Sequence, residues 1–425
     1  MIESHPALDA EKTSTSTLMT RFRVPPGAHD VFARNTLLVG NRGSGKTMLL
    51  RWKRHDYNGT AIYGDLKKIV NSVSSDTGLG GIAWRGLSPN NEAAATAKTI
   101  SLIAYWFAAQ CNKRNVRIPT SVFRRTLPRS LREHELDLDE LYEDIFYSPL
   151  EQFARGPTID SLLELLNEVG DSTEGSRLLI LLDRAELVPY PSLSVVLSLL
   201  DQSHSFMTVV ASRPGLIAMK GGKADVPVPG DHYAVHHLGA SPYSHEWVSY
   251  TRSILGSWLP KSISAISKER LGNLLWLSRD SLRSALKITH GSVGAKHGFD
   301  YTMYKGAIFN LRDNLLSAAQ GYLRDYNPDI RRLLREIRRT SPGGLVLPIE
   351  LSPPGRETPI LFQANRSFGE LSREEKFIYL ALRCGMITTL HGEPWHPDST
   401  YRSFELNPLL IWDEGDKWSN TLPTP

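Results

Sequence analysis

The sequence predicts an α/β fold with a parallel sheet that continues into a helical region, and three observations carry that expectation. The apolar run Thr36-Leu37-Leu38-Val39 leads directly into Gly40-Asn41-Arg42-Gly43-Ser44-Gly45-Lys46-Thr47. This is a strand, a glycine-bracketed loop and a helix start in immediate succession. Two further runs, Leu178–Leu182 ending at Asp183 and Thr208–Ala211 ending at Ser212, are almost wholly apolar. Such runs suit strands covered on both faces, as in a parallel sheet. Beyond Leu238 the apolar residues change to helical spacing.

In chain order, Thr36–Val39 is the first strand, Lys46–Arg54 the helix after the loop, and Thr60–Tyr63 a second strand. Ile69–Gly81 is rich in turn formers. Asn91–Gln110 places Ala94, Ala97, Ile100, Ala104 and Phe107 three or four residues apart, the period of an amphipathic helix. Asn112–Asp139 reads as an irregular basic insertion, and Ile159–Val169 as a helix with Leu162, Leu163, Leu165 and Leu166 on its apolar face. The strands Leu178–Asp183 and Thr208–Ser212 flank a crossover helix within Pro189–Leu200, and Tyr233–Leu238 completes the sheet. Helices are expected over Ser244–Ser257, Lys268–Leu277, Arg279–Lys287 and Tyr301–Tyr326. Ser341–Pro354, with Pro342, Pro348, Pro353 and Pro354, reads as a linker or extended segment. Ser372–Cys384 follows as a capped helix, and Gly385-Met386-Ile387 and Phe404-Glu405-Leu406 as short strands of a wing.

The loop's composition dictates its chemistry. Successive backbone N–H groups in such a turn form an anion nest, and the following helix adds its positive N-terminal end. Gly40 and Gly45 are required where the backbone must reach angles and phosphate approaches that a Cβ would block. The nucleotide-binding set is therefore Gly40, Asn41, Arg42, Gly43, Ser44, Gly45, Lys46, Thr47 and Met48, with Lys46 reaching the β- and γ-phosphates and Thr47 a magnesium ion. Asp183, at the end of a buried strand, supplies the second magnesium ligand. The residue after it is Arg184, so the nearest carboxylate able to orient water is Glu186, which could instead cap a helix or pair with Arg184. Catalytic roles fall to Lys46, Asp183 and Glu186, and cofactors to ATP and Mg²⁺. At the next strand end either Ser212 or Arg213 suits a sensor of the γ-phosphate. Arg283, early on a helix, either swings over the phosphates or is an ordinary exposed arginine.

Bulk numbers narrow the field. A chain of 425 residues with 41% hydrophobic and 22% charged residues has material for two or three packed domains. No stretch nears the roughly 20 apolar residues of a membrane span. Met1–Thr20 resembles neither a signal nor a transit peptide and reads as a loose polar tail, so a cytoplasmic location without membrane partners is expected. Cys111 and Cys384 stand apart, which points to neither a disulfide framework nor zinc. The net charge of +4 excludes coating of nucleic acid by bulk electrostatics. Cations do cluster at Lys113, Arg114, Arg117, Arg124, Arg125, Arg129 and Arg132, and again at Arg331, Arg332, Arg335, Arg338 and Arg339 on an expected helix. Each cluster is either a solvated face or a phosphate-contacting surface.

Four features in order resemble AAA+ P-loop ATPases of the origin-recognition type, their bacterial relatives and the neighbouring STAND group. They are the phosphate loop, Leu178–Asp183, the Val209-Val210-Ala211-Ser212-Arg213 strand end, and the helical region entered through His237-Leu238-Gly239-Ala240-Ser241-Pro242. Phe404-Glu405-Leu406-Asn407-Pro408-Leu409-Leu410 is similar to the wing region of the winged helix that ends such proteins. The resemblance implies a P-loop NTPase core over residues 29–239 after a tail at 1–28, a helical lid at 240–340, a linker at 341–365 and a winged-helix-like domain at 366–425. It places Arg283 at the second-sensor position, and Arg184 departs from the usual second acidic residue. It further implies homo-oligomers and a regulatory ATPase that controls a separately encoded effector, in anti-phage defence or mobile-element control. The alternative is a DNA-binding initiator or loader that uses the winged helix and basic stretches. A metabolic kinase or nucleotidase fits less well, because no acceptor site is evident.

Overall fold

The computed structural model describes residues 13–71, 73, 89–133, 138–173, 177–188, 190–201, 203–213, 230–239, 244–294, 298–323, 338–340, 344–350, 381, 385–389 and 401–410. The first element, α1 (Thr15–Arg21), is capped by Ser14, whose hydroxyl accepts the Thr17 N–H at 3.2 Å, and it buries Leu18 completely. The polar stretch is therefore not a loose tail from Thr15 onward. One leucine among hydroxylated residues is enough to dock a helical turn on the core.

The expected parallel sheet is present. Strands β1 (Thr36–Val39), β2 (Ala61–Asp65), β3 (Leu178–Asp183), β4 (Phe206–Ser212) and β5 (Ala234–His237) lie in the order β2-β3-β4-β1-β5, and every pairing is parallel. All residues of β1, β3 and β4 are buried, the reason their sequences are nearly unbroken apolar runs. Alternation along each strand divides them between two cores. Leu38, Leu179, Leu181, Val209 and Ala211 face α1, α2 (Lys46–Asp56) and the helical region. Leu37, Val39, Leu178, Ile180, Leu182 and Val210 face α3 (Pro89–Asn112), α4 (Leu138–Tyr147), α5 (Ile159–Asp171) and α6 (Tyr190–Ser198).

The basic segment after α3 is not irregular. Thr120–Arg125 and Arg129–Leu131 are helical turns that bury Val122, Phe123, Leu127 and Leu131 in the second core. Its cations alternate with these anchors and several are used locally. Arg125 pairs with Glu164 at 2.7 Å, Arg132 donates to the carbonyls of Leu127 and Arg125, and Arg114 donates to Gln110.

The helical region contains α7 (His245–Trp258), α8 (Lys268–Ser278), α9 (Leu282–Gly291) and α10 (Tyr301–Leu323). The helix expected from Arg279 begins only at Leu282. Arg279 has φ +54°, and Ser281 caps α9 by accepting the Ser284 N–H. Near the C-terminus, β6 (Arg338–Thr340), β7 (Gly344–Glu350), β8 (Ile387–Thr389) and β9 (Tyr401–Leu406) form an antiparallel sheet in the order β6-β7-β9-β8. The two short wing strands pair as Ile387↔Leu406 and Thr389↔Phe404. Part of the presumed linker is thus a strand with neighbours on both sides, and Arg338 and Arg339 lie in a strand, not a helix. Ala381 is helical and buried; the rest of the expected helix Ser372–Cys384, and Arg331, Arg332 and Arg335, lie outside the described residues. The turn Pro408–Leu410 packs against α8 and α10.

Candidate functional site

The sheet order puts β4 between β1 and β3, so the ends of three strands line up at one edge. Val39 is in register with Ser212, and Asp65 with Asp183. The Gly40 N–H donates to the Ser212 carbonyl at 3.1 Å, which ties the start of the phosphate loop to β4. Left-handed backbone occurs at Gly43 (φ +90°) and Gly45 (φ +102°). Gly40 needs no such angle; its constraint is space, since a Cβ there would lie 2.7 Å from Ser44 Oγ and 3.1 Å from the Leu238 carbonyl. At Gly43 a Cβ would sit 2.5 Å from Ser281 Oγ, so this glycine also admits the helical region against the loop.

Lys46 and Thr47 open α2 beneath the loop. Lys46 is buried and donates to the carbonyls of Gly40 and, at 2.9 Å, of Asn41. Burial pushes its pKa down, while Glu186 and Asp183 pull the other way. Thr47 donates its hydroxyl to Asp183 Oδ2 at 2.7 Å, across 136 positions of sequence. Asp183 Oδ2 also accepts the Tyr63 hydroxyl at 3.1 Å, and Oδ1 accepts the Arg184 N–H at 2.9 Å. The phenol of Tyr63 is held protonated by burial and by the carboxylate beside it. The two residues expected to share a magnesium ion are therefore in direct contact.

Arg184 takes the left-handed conformation (φ +66°, ψ +38°), a geometry that costs a non-glycine residue about 1–2 kcal/mol. Its guanidinium pairs with Asp65 at 3.1 Å. Glu186 pairs with Arg213 at 3.2 Å and not with Arg184. Its second oxygen, Oε2, is buried with no hydrogen-bond partner among the described residues, and the same holds for the Ser44 hydroxyl inside the loop. Ser212 is fully buried at the β4 end, with Arg213 turned to Glu186.

The helical region is stapled to the outer side of the loop. Asn41 donates its side-chain amide to buried Asp280 at 2.7 Å, and the Arg283 N–H donates to the Gly43 carbonyl at 3.2 Å. Burial raises the pKa of Asp280, opposed by Arg279, Asn41 and Lys46. Arg42, on the same loop, has its pKa lowered by desolvation and by the positive charges of Arg283 and Arg184.

Sequence reasoning missed one wall of the site. A small cavity of about 90 Å³ borders Thr47 and Met48 and is lined by Phe22, Tyr250, Ile254 and Trp258. Tyr250, Ile254 and Trp258 recur every four residues on α7, a signal that was available, whereas Phe22 sat in the supposed tail. The Tyr250 hydroxyl donates to the Arg23 carbonyl at 3.2 Å and the Ser257 hydroxyl to that of Arg21 at 3.0 Å, which fixes α1 against α7.

The residues present fit a magnesium–nucleotide. They offer an anion nest, a buried ammonium, a hydroxyl beside a carboxylate, two orphaned buried oxygens and an apolar aromatic wall for a ring. No protein-family model matches the chain, and no curated protein matches it.

Proposed function

We propose that the chain is an ATP-binding regulatory ATPase with an AAA+-like core, a helical lid over residues 240–340 and a winged-helix-like end. The observation that carries this reading is the Thr47–Asp183 hydrogen bond beneath a loop whose lysine is buried at its centre. Lys46 and the loop amides would hold the triphosphate, and Thr47 and Asp183 the magnesium ion, which when bound supplies positive charge against the phosphate oxygens. Tyr63 orients Asp183 by donating to it, and the Arg184 N–H fixes the other oxygen of the same carboxylate. Phe22, Tyr250, Ile254 and Trp258 would exclude water from one face of the base.

Turnover is expected to be slow. Arg184 stands where a water-orienting carboxylate often follows the strand-end aspartate, and Glu186 is tied up by Arg213. A partner or a neighbouring subunit that draws Arg213 away would release Glu186 to accept a proton from water. Nucleotide-driven homo-oligomers controlling a separate effector protein, in a cytoplasmic defence or mobile-element setting, are the role this chemistry suits best. Among the described residues no helix is long and apolar enough to cross a membrane. The antiparallel pair β8–β9 keeps a second reading in play, an initiator or loader that grips DNA through its C-terminal wing.

Mass photometry of the purified chain, apo and with ATP–Mg²⁺, with and without duplex DNA, separates the two. Assembly with ATP alone is the expected result. Assembly only when DNA is present would favour the initiator reading. Salt-sensitive DNA binding lost on charge reversal of Arg331 and Arg335 would support it further.

A further inference from the structure

We propose that the cleft between the phosphate loop, the helical region and the C-terminal strands is a second anion site that takes a small organic phosphate. The cleft encloses about 320 Å³, at the lower end of the range for small-molecule sites. Lys46, Thr47, Asp183 and Ser212 do not line it, while Asn41 and Arg42 reach it from the loop and Arg283 borders both this cleft and the cavity beside Thr47. Among the described residues its lining carries Arg42, Arg279, Arg283 and Lys287 and one carboxylate, Asp280, which accepts the Asn41 amide at 2.7 Å.

Neither Arg42 nor Lys287 has a carboxylate within salt-bridge distance among the described residues. Both have their pKa lowered by burial first and then by neighbouring cations, Arg283 acting on each. Lys287 is half-buried and Arg42 exposed; a half-buried cation beside like charges costs free energy, and a phosphate between the two would relieve the repulsion and part of the desolvation of Lys287. Guanidinium groups bind phosphate oxygens through paired N–H donors, so Arg42 and Arg283 suit the head of such a ligand. The Ser284 hydroxyl and the Asn314 amide add neutral polar groups. Leu311, Leu315 and Leu409 also line the cleft, an apolar part that suits an organic remainder rather than inorganic phosphate alone. Because Leu409 comes from the C-terminal unit and Arg42 from the loop, an occupant would connect the chain's end to the nucleotide site.

The test is calorimetric titration of the full chain with AMP as probe and adenosine as control. Lys46→Ala silences the phosphate loop, and Lys287→Glu reverses charge in the cleft alone. The Lys46→Ala protein is expected to bind AMP saturably at one site and to ignore adenosine. Adding Lys287→Glu should weaken AMP at least about tenfold through repulsion of the phosphate. No saturable AMP binding by Lys46→Ala, equal binding of adenosine, or an affinity unchanged by Lys287→Glu would overturn the proposal. Should thermal unfolding show that Lys287→Glu is misfolded, Asn314→Glu, at an exposed position on the same cleft, applies the same repulsion. A failure of the nucleotide reading has a different signature. Wild type and Lys46→Ala would then bind ATP alike, while the comparison with Lys287→Glu still decides the cleft.

Discussion

The two sides of the phosphate loop are built on opposite electrostatic plans. On the sheet side, Thr47 and Tyr63 donate to Asp183, Arg184 pairs with Asp65, and Arg213 pairs with Glu186. On the side of the helical region, Arg42, Arg279, Arg283 and Lys287 line one cleft, where Asp280, which accepts from Asn41, is the one carboxylate among the described lining residues. A paired arrangement holds its geometry through its own ion pairs and hydrogen bonds. The second side carries an excess of cations over carboxylates among its described lining residues, a field that favours anions. The loop between them is joined to the sheet through the Gly40–Ser212 bond and to the helical region through Gly43 and Asn41.

The largest effect should come from breaking the paired side. Asp183→Ala removes the acceptor of Thr47 and Tyr63 together, and magnesium-dependent enhancement of ATP binding should vanish in titrations run with and without the metal. Next is the staple between the sides. Asn41→Ala leaves a buried carboxylate short of its donor and should cost about 2 kcal/mol in the docking of the helical region on the loop. Faster amide exchange in α9, with β3 unchanged, would register it.

The pH response of Asp280 sharpens the contrast further. Its folded pKa is raised above the unfolded value, chiefly by burial. Its contribution to stability is therefore fully present below the ordinary aspartate range and is lost as pH rises through the raised folded value. In Asp280→Asn that segment of the melting-temperature profile should flatten; an identical slope in both proteins would deny the shift. The smallest effect belongs to Tyr63→Phe, where one of several donors to Asp183 is lost. About 1 kcal/mol is expected in denaturant unfolding, with ATP affinity little changed.

Much of the fold was legible because the core strands are buried on both faces and their sequences say so without interruption. The phosphate loop was legible because glycine spacing and Lys-Thr report local backbone chemistry. Asp183 was legible as the polar end of an apolar strand, but its contact with Thr47 needed β4 to insert between β1 and β3. The aromatic wall was harder to see. It joins Phe22 to residues more than 200 positions away, and composition alone made the N-terminal stretch look like a tail. Strand β7 was hidden by the prolines and glycines around it, although Leu345, Val346, Leu347 and Ile349 carry a strand signal. Asp280 drew no reading from the sequence; it is buried where the Asn41 amide donates to it, a contact across 239 positions.

The central claim is that this loop binds a magnesium triphosphate through Lys46. Calorimetric titration of ATP–Mg²⁺ into wild type and Lys46→Ala tests it most directly. Saturable binding by wild type and a loss of about a hundredfold or more in the variant, with unfolding unchanged, is the expected result. Equal affinity in the two proteins would contradict the account.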